Sequence, residues 1–148
     1  MVATSVKVYG QEKPPRPITV TVNMSQSLSF GTFYHIGPGS VIIDPYGVRS
    51  KTGGVVLLSS GTFPSTALFD VVGNPGTVVS IINGADATLS GGGGSMILQT
   101  GASYPVSPFI ITTTPTQVMI GGTLIVGNTG ANPPGSYSGS FEVIFIQE

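Results

Sequence analysis

His35 is the chain's one histidine, and none of its 148 residues is a cysteine. Acid–base or nucleophilic catalysis needs titratable groups that converge, a base held by an orienting acid or a hydroxyl held by a base. Here the acids Asp44, Asp70, Asp86, Glu142 and Glu148 are scattered along the chain. The sequence contains no GxSxG elbow, no GxxxxGK[ST] phosphate loop, no HExxH and no DxDxG calcium spacing. His35 lies among Phe33, Tyr34 and Gly37, which predicts a surface or loop histidine rather than a catalytic one. A metal site would need several His, Cys or acidic ligands close together. The residues thus predict a protein that is not an enzyme, with no catalytic, cofactor or metal site. Two other patterns suggest sugar chemistry. Asn23-Met24-Ser25 is a formal glycosylation sequon, but it falls inside a strand pattern. Tyr34, Tyr46, Tyr104 and Tyr137 would make a sugar platform if gathered on one surface; scattered over strand ends and loops, they read as half-buried packing.

The elements that must position these residues are short strands. Hydrophobic residues make up 40% and charged residues only 7%, against about a quarter charged in an ordinary globular chain. Twenty-two glycines and twelve prolines argue against long helices. Runs of Thr, Val and Ile four to eight residues long recur between turn residues, which predicts an all-β domain of about ten strands, a sandwich or Greek-key barrel. A net charge of −1 leaves no basic patch for nucleic acid. A surface this poor in charge tends to associate, as expected of a subunit in an assembly. No apolar run approaches the roughly 20 residues of a membrane-spanning helix. The start, MVATSVKVYG, lacks an apolar signal core, so the chain reads as intracellular or as a processed mature form.

Two regions frame the domain. Residues 2–9 alternate, with Val2, Thr4, Val6 and Val8 on one face, and a proline-rich spacer follows to Pro17. Residues 1–17 therefore read as an extension and 18–148 as the body. In the body, Ile18, Val20, Val22, Met24, Leu28 and Phe30 keep one parity, with a break or bulge expected at Gln26. Gly31-Thr32-Phe33 reads as the close of that element. Short strands are expected at 41–43, 55–58, 67–72, 78–82, 96–98, 110–112, 118–120 and 124–126. The Gly91–Gly94 run reads as a loose hairpin loop. In the last strand, Phe141, Val143 and Phe145 face one way while Ile144 and Ile146 face the other, the pattern of a central strand covered on both faces.

Six phrases occur in order: LSFGTF at 28–33, GVRSKTGGVVLL at 47–58, ALFDVVGNPGTVVSI at 67–81, the glycine run before Met96, GGTLIVG at 121–127 and YSGSFEVIFI at 137–146. Together they resemble a family of secreted bacterial β-rich domains of unknown function, similar in layout to chaperone–usher pilus subunits. The resemblance spans the chain from about Ile18 onward. It implies an immunoglobulin-like sandwich that lacks a strand, completed by the N-terminal strand of a neighbour. It also implies an extracellular or cell-surface filament, a removed signal peptide, and a periplasmic chaperone and usher as partners. Many pilus subunits carry a disulfide, which this chain cannot form.

The residues themselves supply the polymer argument, because the resemblance does not reach 1–16. A last strand with a free edge would expose backbone groups and apolar surface that invite another strand. Residues 2–9 have the parity and, at about 26 Å, the length to fill it. The expected donor positions are Val2, Thr4, Val6 and Val8; the expected acceptor groove is Ile18, Val20, Val22, Phe141, Val143 and Phe145. Donation to a neighbour is favoured over folding back on the same domain, because the proline-rich spacer disfavours a tight return. Such a contact is head-to-tail and makes a homopolymer. The alternatives are a secreted carbohydrate-binding or adhesin module, and a viral capsid or tail protein of jelly-roll type.

Overall fold

The computed structural model describes residues 6–10, 20–113, 115–128 and 130–148. Among these, eleven strands form two sheets. Four strands, β1 (Val6–Gly10), β11 (Val143–Gln147), β6 (Val78–Asn83) and β9 (Phe109–Ile110), make the first sheet in that spatial order. The second runs β2 (Thr21–Gln26), β5 (Ala67–Val72), β10 (Thr116–Val126), β3 (Phe33–Ile43) and β4 (Arg49–Leu57), with the hairpin β7 (Ala87–Gly91) and β8 (Gly94–Tyr104) laid on β10.

Strand β5 shows how local sequence makes local structure. In ALFDVV the first, third and fifth residues are buried and the others are not, the period-2 signature of a strand covered on one face. The same parity holds in β11, where Val143 and Phe145 are fully buried and Ile144 and Ile146 half-buried. The second face of β11 is thus less covered than its apolar residues predict. Phe69 of β5 and Phe145 of β11 meet edge to face, ring centroids 5.4 Å apart at 63°. They join the two sheets through one core that also holds Leu28, Phe30, Val41, Leu98, Ile120 and Leu124. Each such side chain contributes about 1.5–3 kcal/mol of burial free energy.

Strand β10 is the hub of the larger sheet. Strand β8 lies along one edge, from Met119 to Ile125, while the other edge is shared: β5 takes residues 116–120 and β3 takes 122–126. The changeover falls at Gly121, where the pairing with β8 also slips. A Cβ at Gly121 would lie 2.0 Å from the Ile43 carbonyl oxygen, so only glycine lets the two backbones approach. Gly121→Ala is expected to destabilise the fold by about 1–3 kcal/mol through this overlap. Urea denaturation of the variant measures it, and an unchanged midpoint would contradict the tight crossing.

Several expected boundaries move. Phe33 opens β3 instead of closing the preceding element, and the strand runs eleven residues through Gly37-Pro38-Gly39, up to the expected strand at 41–43. Its pairing with β4 shifts between His35 and Gly39. There the glycines of the two strands press together: a Cβ at Gly39 would lie 2.2 Å from the Thr52 carbonyl oxygen. The two expected runs at 118–120 and 124–126 are one strand, and 96–98 is the start of the long β8. Gly92 and Gly93, at φ +55° and +88°, form a two-residue hairpin turn, tighter than a loose loop. The expected irregularity at Gln26 is present, as a register shift between Met24 and Gln26. Arg49 ties the segments around β3 and β4 together, its guanidinium donating to the carbonyls of Phe30, Thr32 and Leu58 at 3.0, 3.0 and 2.6 Å.

Candidate functional site

The predicted acceptor groove centres on β11. One edge of this strand pairs with β6, antiparallel, from Val143↔Asn83 to Gln147↔Val79. The Glu148 amide donates to the Val78 carbonyl at 2.9 Å, and the Ser80 hydroxyl donates to the Glu148 carboxylate. On the other edge lies β1 of the same chain, parallel, with Val6 opposite Val143 and Val8 opposite Phe145. Strand β1 also approaches β2, with Cα atoms within 8 Å. The structure therefore brings together the strand named as donor and the strand named as acceptor, within one chain.

Of the predicted groove residues, Val20, Phe141, Val143 and Phe145 are buried in the common core and Val22 packs against it. Phe141 precedes β11 rather than belonging to it. Val2, Thr4 and Ile18 lie outside the described residues.

A second place of interest surrounds His35, which sits on β3 rather than in a loop and is half-buried. It lines a cavity of about 250 Å³ with Phe33, Tyr34, Met96, Pro133 and Tyr137. Its Nε2 lies 2.8 Å from the Asn132 carbonyl oxygen, which makes Nε2 the protonated nitrogen. The buried Nδ1 has no partner among the described residues. Asn132 is itself 2% exposed and fixes the wall: its Oδ1 accepts from the Gly127 amide at 2.6 Å, and its Nδ2 donates to the Ser95 carbonyl at 2.5 Å. Tyr137 donates its hydroxyl to the Pro133 carbonyl at 2.6 Å. The cavity's polar groups are largely engaged with its own backbone, and among the described residues its lining carries no carboxylate to orient the imidazole. Nothing local in the sequence announces this arrangement, since His35 and Asn132 are 97 residues apart.

The four tyrosines divide in two. Tyr34 and Tyr137 line the cavity, whereas Tyr46 and Tyr104 form an exposed ring pair elsewhere. Asn23 of the sequon is exposed on β2. Among the described residues, no cluster of three or more His or acidic side chains is placed to hold a metal, and no helix is long and apolar enough to cross a membrane.

Comparison with known proteins gives one family. No curated protein and no solved structure matches the chain. Residues 19–146 match the family model described as a domain of unknown function, DUF4402, so that β2 to β10 and all of β11 but Gln147 fall within the match while β1 precedes it. With nearly the whole body covered, the chain belongs to the DUF4402 family.

Proposed function

We propose that this protein is a non-enzymatic structural subunit of an extracellular filament, a pilus or fimbria, that polymerises by strand donation. The body is an immunoglobulin-like sandwich, and the N-terminal strand of one copy fills the β11 edge of the next. The observation that carries this reading is the pairing of β1 with β11 by a segment outside the family match. A strand that precedes the family domain, joined to it through the proline-rich stretch 13–17, can occupy its own β11 or that of another copy with identical register. Exchange between copies conserves every backbone bond, so the balance is set by chain entropy and subunit concentration. Each subunit then offers one strand and one edge, a head-to-tail contact that does not close. The scarcity of charge favours such packing. Cell-surface localisation and assembly through a chaperone and usher belong to the same proposal and rest on the resemblance of the sequence phrases to those of pilus subunits.

The chain has no native cysteine, which permits a direct test. Lys7 and Ile144 are register partners, close enough in a β-ladder for a disulfide. Lys7→Cys and Ile144→Cys variants, mixed under oxidising conditions, are expected to cross-link between copies, and the double variant to run as a ladder on a denaturing gel. A double variant that oxidises only to monomer would mean that β1 stays on its own domain. Electron microscopy of the same material should show thin uniform fibres; closed shells would favour a capsid protein instead.

A further inference from the structure

The ring pair Tyr46–Tyr104 joins two distant parts of the chain, with centroids 5.3 Å apart at a tilt of 45°. Both rings are solvent-facing, 67% and 48% exposed. The backbone holds them in place. Tyr46 lies in the turn between β3 and β4, where Asp44 Oδ1 accepts the amides of Tyr46 and Val48, each at 2.9 Å, and the Asp44 carbonyl accepts the Gly47 amide at 3.0 Å. Tyr104 ends β8 opposite Met119 of β10. Beside it the Ser103 hydroxyl donates to the Pro105 carbonyl at 3.0 Å.

Only one of the two Asp44 carboxylate oxygens makes a hydrogen bond among the described residues. The second remains as an acceptor on the turn that carries Tyr46. Two fixed aromatic faces, two phenol hydroxyls and a carboxylate oxygen suit one chemical class well. A pyranose ring with equatorial hydroxyls presents an apolar C–H face to an aromatic ring and hydroxyl donors at its rim. An anionic ligand would meet the Asp44 charge, and a purely apolar one would leave that carboxylate desolvated without a donor.

We propose that Tyr46, Tyr104 and Asp44 form a glycan-binding patch for a neutral pyranose chain with equatorial hydroxyls. This does not rest on the filament reading, because the patch lies on the other sheet from β1 and β11 and holds for a monomer or a fibre.

The test is isothermal titration of the full chain, whatever its assembly state, with cellotetraose up to about 10 mM, a range that reaches millimolar dissociation constants. Saturable binding is expected, weakened about tenfold or more by Tyr104→Ala and by Tyr46→Ala, the loss of one stacking partner. Asp44→Asn, which keeps the turn acceptor, should weaken it severalfold, and Tyr34→Ala should leave it unchanged. Circular dichroism confirms that each variant is folded; Tyr46, on an exposed turn, serves if Tyr104→Ala unfolds. No heat of binding with cellotetraose, or binding that survives both tyrosine substitutions, would overturn the proposal. So would a change of sedimentation in Tyr46→Ala, which would make the patch a contact between copies.

Discussion

Phe145→Ala is expected to lower the stability of the fold by about 3–5 kcal/mol. The ring is wholly buried and meets Phe69 across the two sheets. Its loss removes the transfer free energy of the ring and leaves a cavity between layers whose backbones are held by strand pairing on both sides of β11. A domain of this size has a total stability of about 5–15 kcal/mol, so the variant should lie near the edge of folding at physiological temperature. Urea unfolding gives the number directly. Phe69→Ala and the double variant complete a cycle in which a coupling of about 0.5–1.5 kcal/mol belongs to the aromatic pair itself. A loss below about 1 kcal/mol in Phe145→Ala would mean that the sheets close over the gap, contrary to a rigid core.

The same residue shows what the sequence makes legible. Alternation of buried and exposed side chains is a local property, so β5 is read to the residue and the apolar parity of 141–145 points to the buried face of β11. Strands β3 and β10 are less legible because their glycines look like breaks. Gly37, Gly39 and Gly121 in fact lie within long strands, and at Gly39 and Gly121 another backbone passes too close for a Cβ. Which backbone passes there is a tertiary fact that no window of sequence contains. The edge of β11 and the segment that covers it could be anticipated from their apolar residues, but not which copy supplies that segment, since the same alternation at residues 2–9 suits its own domain and a neighbour equally. The cavity at His35 and the Tyr46–Tyr104 pair depend on contacts across 97 and 58 residues, respectively. Composition offers no signal for either.

Deleting residues 1–16 is expected to abolish filament formation while leaving a domain that can be folded by supplying the missing strand. The deletion removes all of β1, and β11 is left paired only with β6. Its backbone groups on the open edge and the apolar surface near Val143 and Phe145 would then face water, a state that costs about 1.5–3 kcal/mol for each large apolar side chain uncovered and invites non-specific strand pairing. A synthetic peptide of residues 1–10 added during refolding should restore a soluble, monomeric complex, because it fills the edge without carrying a second domain. Replacing Val6 and Val8 of the peptide by Asp should prevent rescue, because their register partners are the buried residues Val143 and Phe145 and an unpaired charge at those register positions is costly. Electron microscopy, with sedimentation of the rescued complex, separates the outcomes. Filaments from the truncated chain would end the strand-donation reading, as the polymer contact would lie elsewhere. Monomers that are as stable without the peptide as with it would show that β1 contributes nothing to the β11 edge. Rescue by the native peptide alone would show that β1 fills the β11 edge when supplied by a separate chain, as strand donation requires.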